Sequence, residues 1–144
     1  MKRLFIYIAG LFAFLSVQAQ NLVDYVNPFI GTTNFGTCNP GAIVPYGMMS
    51  VVPFNVMGSA DNRYDKDARW WSTPYDYTNS YFTGFAHVNL SGVGCPELGS
   101  LLLMPTTGKL DVDYHNYGSK YKNETATPGY YSVSLDKYNV KAEA

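Results

Sequence analysis

The aromatic and polar side chains best suited to chemistry are concentrated around Trp70 and Trp71. Sugar rings present C–H faces that stack on aromatic rings, while their hydroxyl groups need polar partners. Arg69, Asp76 and Asn79 are near enough in sequence to supply such partners. The stretch therefore predicts a sugar-contacting surface. The alternative is that one tryptophan belongs to the core and the other seals a domain interface.

His87 and Asn89 form a second polar pair, just before a glycine-rich stretch at residues 92–99. Residues two apart on a strand face the same side of a sheet, so both side chains are able to hydrogen-bond one ligand hydroxyl. We therefore treat the pair as candidate substrate-binding residues. The structural alternative is a histidine that holds the glycine-rich loop in place.

A sugar-cleaving enzyme needs carboxyl groups for catalysis. Glycoside hydrolysis uses one carboxyl group as an acid and a second as a base or nucleophile. The candidates in this sequence are Asp24, Asp76, Glu97 and Asp111. None lies in a segment that marks it as catalytic, so the sequence predicts a β-domain that binds something and carries no catalytic residue of its own.

Metal-binding and disulfide patterns are weak. Asp61, Asp65 and Asp67 loosely resemble the spacing of a calcium loop, but the glycine and closing glutamate of an EF-hand are missing. No metal site is predicted in this chain. Cys38 and Cys95 are the two cysteines. They are able to pair in an oxidising compartment, or to remain as buried thiols.

The composition excludes some partners and leaves others open. The net charge is −1 and charged residues make up 15%, which argues against a nucleic-acid partner. Aromatic residues reach 16%, with 13 tyrosines. Tyrosine combines an apolar ring with a hydrogen-bonding hydroxyl, which suits a sugar surface but equally suits a β-rich exported protein.

The first 20 residues have the pattern of an export signal. Lys2 and Arg3 precede an uncharged apolar run at residues 4–17, and Ala19 supplies the small residue before the cleavage point. The run is shorter than the roughly 18 residues of a membrane-spanning helix. We expect cleavage after residue 20 and export to the periplasm or the extracellular space, with no stable membrane span afterwards. The alternative is a retained anchor helix.

Strand patterns dominate the rest of the chain, while helix-like periodicity is weak. Predicted strands cover residues 42–44, 48–52, 81–88, 101–104, 130–135 and 140–144. Gly84 predicts a bulge or a close backbone approach within its strand. The apolar run at 101–104 predicts a strand covered on both faces. Two stretches, 55–78 and the polar 111–127 with His115, are expected to be loops, giving an antiparallel all-β sandwich with long loops.

The last 15 residues predict a hairpin. Tyr131, Val133 and Leu135 alternate onto one face, residues 136–139 form a turn, and residues 140–144 alternate again. The sequence stops within that second arm. We therefore expect residues 21–144 to be the N-terminal part of a β-sandwich domain in a longer polypeptide, with an incomplete sheet at the C-terminus.

Four segments resemble the N-terminal domain of the glycoside hydrolase family 92 exo-α-mannosidases. They are residues 24–32 (DYVNPFIGT), 39–48 (NPGAIVPYGM), 84–95 (GFAHVNLSGVGC) and 127–133 (TPGYYSV). The resemblance runs from about residue 23 to residue 144, nearly all of the chain after the signal. It departs from the family pattern at Asn89, where many relatives have a second histidine.

The resemblance implies an N-terminal β-sandwich that contacts a helical (α/α)6 catalytic domain following it in the same polypeptide. It also implies a calcium-dependent, inverting exo-α-mannosidase, with α-1,2 as the expected linkage, acting on terminal mannose of mannose-rich glycans. The catalytic carboxylates and most calcium ligands would belong to the helical domain, so this chain alone is expected to be inactive. Trp70, Trp71, His87 and Asn89 would border the active site. The alternatives are a stand-alone carbohydrate-binding domain or a purely structural β-domain.

Overall fold

The computed structural model describes residues 21–33, 37–44, 50–56, 74–87 and 101–144. A short 3-10 helix at Leu22–Tyr25 comes first, and a one-turn helix, α1, occupies Tyr114–Tyr117. The strands of the described ranges are β1 Val51–Phe54, β2 Tyr81–Phe82, β3 Gly84–His87, β4 Leu101–Leu103, β5 Ser119–Thr127, β6 Tyr130–Leu135 and β7 Val140–Glu143. The architecture is nearly all β, as the sequence predicts.

Two antiparallel sheets form the domain. The smaller sheet has the strand order β1-β3-β4 and the larger has the order β2-β5-β6-β7. They face each other through a cluster of buried apolar side chains. Phe85 of the smaller sheet packs edge-on against Tyr131 of the larger, with ring centroids 5.9 Å apart. The predicted antiparallel β-sandwich is therefore confirmed.

One segment passes from one sheet to the other. The sequence predicts a single strand over residues 81–88, with an irregularity at Gly84. The structure breaks it at Thr83, so that β2 pairs with β5 and β3 pairs with β1 and β4. The Thr83 amide donates to the carbonyl oxygen of Phe54 at 2.9 Å, which fixes the break against the end of β1. Gly84 supplies a φ of 147° there, a value that side chains rarely allow.

The C-terminal hairpin also follows its prediction. β6 has the predicted bounds, and Tyr131, Val133 and Leu135 are all buried in the core. Each apolar side chain of this type stabilises the fold by about 1.5–3 kcal/mol when fully buried. β7 pairs with β6 from Val140 to Glu143. The alternation of apolar and polar residues predicted the hairpin correctly because one face of the hairpin packs against a single layer.

β5 is the strand that the sequence reasoning missed. Its nine residues lie in the stretch expected to be a loop, because their side chains are mostly polar. A bulge between Lys122 and Thr125 also interrupts the alternation, with Asn123 at a φ of 53°. Lys122 and Asn123 are consequently both exposed, and the next residue, Glu124, turns towards the interior.

The expectation for the apolar run at 101–104 is wrong in one respect. Leu101–Leu103 does form a strand, but it is an edge strand and its three leucines are 53%, 37% and 51% exposed. A continuous apolar run indicates that burying the strand is favourable. It does not show that other residues of the same domain cover it.

Several expectations fall outside the described ranges. These concern the export signal at residues 1–20, Cys95 and the aspartates at 61, 65 and 67. Residues 42–44, predicted as a strand, form an isolated bridge in which Ala42 pairs with Val51. His115, expected in an exposed loop, is exposed within α1. Among the described residues, no helix has the length and apolar character needed to cross a membrane.

Replacing Gly84 with alanine should destabilise the fold markedly. A Cβ at this position would lie 2.8 Å from the carbonyl oxygen of Leu103, in addition to the strain of φ 147°. We expect a loss of about 3 kcal/mol in the free energy of unfolding, measured by urea denaturation. Gly108→Ala is the matched control, because its φ is 84° but no atom lies within 4 Å of the added Cβ. It should cost about 1 kcal/mol, and equal losses in the two variants would contradict the close approach.

Candidate functional site

Most of the residues predicted to contact a ligand are not placed by the structure. Trp70, Trp71, Asn89 and Glu97 lie outside the described residues, and their roles remain predictions. His87 and Asp76 are described. His87 is the last residue of β3 and pairs with Val51, whereas the other end of β1 leads towards the Asp76 loop. The structure therefore does not bring these two together.

His87 lies at the end of β3, directly opposite the first residue of β4. Its Nδ1 is 3.3 Å from the carbonyl oxygen of Leu101, so the ring donates there when Nδ1 carries the proton. The side chain also borders a cleft of about 430 Å³ between the two sheets, together with Phe85, Leu103 and Glu143. The Leu101 contact supports the structural alternative, in which the histidine holds the two ends of the intervening residues 88–100.

The candidate carboxylates have structural or surface positions. Asp24 and Asp111 are exposed. Asp76 is 6% exposed, and its Oδ1 accepts hydrogen bonds from the amide and the hydroxyl of Thr78 at 2.8 and 2.6 Å. This is the local side-chain bonding typical of an Asx turn. Asp76 is therefore engaged in holding its own loop.

The most polar part of the interior centres on Asn55, the residue after β1. Its side chain is fully buried. The amide oxygen accepts from the backbone N–H of Asp76 at 2.8 Å, and the amide nitrogen donates to the Asp76 carbonyl oxygen at 2.9 Å. The same nitrogen donates to the Tyr121 hydroxyl at 2.9 Å. One side chain thus binds the backbone of the Asp76 loop and strand β5 at once.

Glu124 provides the second half of this cluster. Its carboxylate accepts from the Tyr75 hydroxyl at 2.8 and 2.9 Å and from the Tyr131 hydroxyl at 2.5 Å. Tyr75 and Tyr131 are 1% and 0% exposed, so both donors are held inside the core. Hydrogen bonds to a charged acceptor are about twice as strong as those between neutral groups. The carboxylate therefore joins the loop before β2 to strand β6.

The ionisation of these groups follows from their burial. Burial raises the pKa of the Glu124 carboxyl, and hydrogen bonds from Tyr131 and Tyr75 lower it in part. Burial, followed by the neighbouring Glu124 carboxylate, raises the pKa of the Tyr75, Tyr121 and Tyr131 hydroxyls. The tyrosines therefore keep their protons and remain donors, which suits support and not nucleophilic attack.

Sequence reasoning did not single out Asn55 or Glu124. Both have common residue types with no motif around them, and Glu124 lies in a stretch predicted as a loop. The available signal was Asn123, a residue type that tolerates positive φ, inside an otherwise strand-compatible run. A bulge at that point reverses which side chains face inward.

The described residues do not offer a metal site. Among them, no three side chains of His, Cys, Asp or Glu are grouped closely enough to hold an ion. Calcium binding therefore stays an expectation that follows from the family resemblance alone. Cys38 is exposed, while its possible partner Cys95 lies outside the described ranges, so their pairing stays a prediction.

The described residues form a two-sheet antiparallel β-sandwich, a fold class that by itself assigns no activity. Residues 25–144 match the glycosyl hydrolase family 92 N-terminal domain. The chain belongs to this family. The predicted resemblance is therefore confirmed over nearly all of the chain that follows the first 24 residues.

Solved structures and a curated relative agree with that assignment. The chain is 36% identical to a family GH92 α-mannosidase from Bacteroides thetaiotaomicron, with a TM-score of 0.71 over 86% of this chain and 17% of that one. An inverting GH92 mannosidase of the same organism is 26% identical, with a TM-score of 0.53 over 81% of this chain and 15% of that one. An uncharacterized secreted glycosidase of Arthroderma benhamiae is 29% identical over 81% of this chain and 15% of its own length. The chain thus spans about one sixth of the length of these relatives.

The partly buried carboxyl of Glu124 predicts a specific pH dependence of stability. Its pKa in the folded protein is raised above its ordinary value of 4.5, so the folded state holds this proton at pH values where the unfolded state has lost it. The contribution of Glu124 to stability is therefore full below pH 4.5 and is lost as the pH rises through the raised pKa. Relative to Glu124→Gln, the wild-type free energy of unfolding should fall with rising pH in that window, measured by urea denaturation.

Glu143→Gln is the control for this measurement. Glu143 is exposed, and hydrogen bonding from Lys141 lowers its pKa, so its contribution has the opposite sign. A wild-type curve that runs parallel to that of Glu124→Gln across the window would show that Glu124 is not buried in the folded protein.

Proposed function

We propose that this chain is the N-terminal domain of an exported, calcium-dependent, inverting exo-α-mannosidase. In this proposal the enzyme removes terminal α-1,2-linked mannose from mannose-rich glycans. A helical catalytic domain in the same polypeptide supplies the acid, the base and most of the calcium ligands. This domain braces that helical domain and lends loops to the rim of the active site.

The observation that carries the proposal is the family match over residues 25–144, together with the similarity to GH92 α-mannosidases. One of these α-mannosidases has been solved in complex with mannoimidazole, and another is named as an inverting mannosidase. The name of the Arthroderma relative supports secretion. Inverting glycosidases hold their two carboxyl groups about 6.5–9.5 Å apart, leaving room for a water. Of the candidate carboxylates, Asp76 is engaged in a local turn and Asp24 and Asp111 are exposed, which favours a catalytic pair in another domain.

A purely structural role is the second candidate, and the exposed leucines of β4 favour it. Leu101 and Leu103 are about half exposed, and Leu103 borders the cleft that separates β4 from β7. An apolar strand at a sheet edge is suited to being covered by another domain. In this alternative the sandwich braces the helical domain and makes no contact with the sugar.

The activity test compares this chain with a longer polypeptide that carries it together with a helical catalytic domain. We expect the longer protein to release mannose from α-1,2-mannobiose with inversion at the anomeric carbon, and to lose activity when calcium is chelated. This chain alone should release none. Hydrolysis by this chain alone, abolished by changing its own carboxylates, would refute the assignment of catalysis to another domain. Tight mannoside binding without hydrolysis would favour a stand-alone binding module.

Trp71→Ala tests the predicted contact with sugar. In the longer enzyme we expect a loss of about 1–3 kcal/mol in transition-state stabilisation, measured from kcat/KM, because an aromatic platform is removed. Trp70→Ala is the matched comparison, since one of the two tryptophans is the expected contact. Unchanged kinetics in both folded variants would leave the structural role as the better description.

A further inference from the structure

Phe29 and Tyr77 form an aromatic pair at the surface of the domain. Their ring centroids are 5.4 Å apart, and the ring planes are tilted by 59° to each other. Tyr77 is 54% exposed, so Phe29 covers only part of it, and Phe29 itself is half-buried. The pair therefore presents an aromatic surface to solvent.

Thr32 joins the two backbone segments that carry these rings. Thr32 is buried, and its carbonyl oxygen accepts from the amide of Tyr77 at 2.9 Å. Its hydroxyl donates to the carbonyl oxygen of Phe29 at 2.8 Å. The side-chain oxygen of Asn27 also accepts from the amide of Phe29, at 3.0 Å. Hydrogen bonds thus hold together two segments that are distant in sequence, with one ring on each.

The residues on either side of Tyr77 are also anchored. The Asn55 side chain binds both backbone polar groups of Asp76, which precedes Tyr77. Asp76 Oδ1 in turn accepts from the amide and the hydroxyl of Thr78, which follows it. Tyr77 therefore extends outward from a backbone that is already ordered. A site on such a backbone loses little conformational freedom when a ligand binds.

The hydroxyl of Tyr77 is available to a ligand. Other described tyrosines donate their hydroxyls to groups within the protein, namely Tyr75, Tyr81, Tyr121, Tyr130, Tyr131 and Tyr138. The Tyr77 hydroxyl has no such partner among the residues that the structure describes. Tyr77 thus combines an exposed ring with a hydroxyl that is able to donate and to accept a hydrogen bond.

We propose that the Phe29–Tyr77 pair is a glycan-binding site, in which the C–H face of a pyranose ring stacks on Tyr77 and a sugar hydroxyl bonds to the Tyr77 hydroxyl. A purely apolar partner would leave that hydroxyl unpaired, which favours a hydroxylated ligand. The choice of mannose as the sugar rests on the proposed function. The next residue after Phe29, Ile30, is 74% exposed, so burial of the pair against another protein domain is the competing outcome of the test.

The test is native electrophoresis of the longer polypeptide through gels that contain an α-mannan, with the dissociation constant taken from the retardation. We expect Tyr77→Ala to weaken binding about tenfold, because ring and hydroxyl are both lost. Tyr77→Phe keeps the ring and should weaken binding about threefold. Tyr130→Ala is the matched control, since Tyr130 is 37% exposed but its hydroxyl is bound to Glu143. It should change binding less than about twofold.

Thermal unfolding of the same variants identifies the competing outcome. Unchanged mannan binding in Tyr77→Ala would overturn the proposal. If the unfolding temperature of the longer polypeptide also fell in that variant, the ring would instead belong to an interface between domains.

Parallel gels with a β-glucan and a xylan separate this inference from the proposed function. If the wild type is retarded by one of these and not by mannan, and Tyr77→Ala abolishes that retardation, the glycan-binding site stands and the assignment to mannose is wrong. If the wild type and Tyr77→Ala are retarded equally by mannan, the proposed function stands and this site is wrong. Absence of retardation in every gel would overturn both.

Discussion

The side-chain amide of Asn55 is fully buried and joins the end of β1 to the Asp76 loop and to strand β5. It meets the N–H and the C=O of Asp76 in the way a neighbouring strand would, and it reaches Tyr121 on the opposite sheet. Leaving such groups unpaired in the interior costs about 1–3 kcal/mol each. The end of β1, the loop before β2 and strand β5 are therefore held in one arrangement, and the passage between sheets at Thr83 follows a few residues later.

Several tyrosines of this domain belong to its interior. The composition suited a sugar surface and a β-rich protein equally, and Tyr75, Tyr121 and Tyr131 contribute to the interior. Phe82 and Phe85 extend their rings into a continuous aromatic core across both sheets. The hydroxyl groups allow that core to contain a carboxylate without leaving it unpaired.

The exposed β4 leucines and the partly buried, inward-facing Glu124 depart in opposite directions from what the hydrophobic pattern of the sequence predicts. An apolar run was expected inside and lies exposed, while a glutamate in a polar run was expected outside and lies within. Both departures have the same cause, because the burial of a side chain depends on which residues pack over its strand. The leucines lie on an edge strand beside a cleft, and the glutamate follows a bulge that reverses the strand's facing.

The sequence by itself determined the sandwich class, the C-terminal hairpin, the special role of Gly84 and the family, since each depends on alternation, glycine positions or ordered motifs within a short window. The sequence also identified His87 as a candidate binding residue, and only the structure shows its contact with the carbonyl oxygen of Leu101. The tertiary structure alone decided that residues 81–87 divide between two sheets, that β5 is a strand, and that Asn55 and Glu124 form the polar centre. The division at Thr83 and the contacts of Asn55 depend on hydrogen bonds between residues 21 to 66 positions apart, such as Asn55 with Asp76 and Tyr121, and local propensity does not encode such distant partners. β5 pairs with the neighbouring β6, and it was missed because its side chains are mostly polar and a bulge interrupts their alternation.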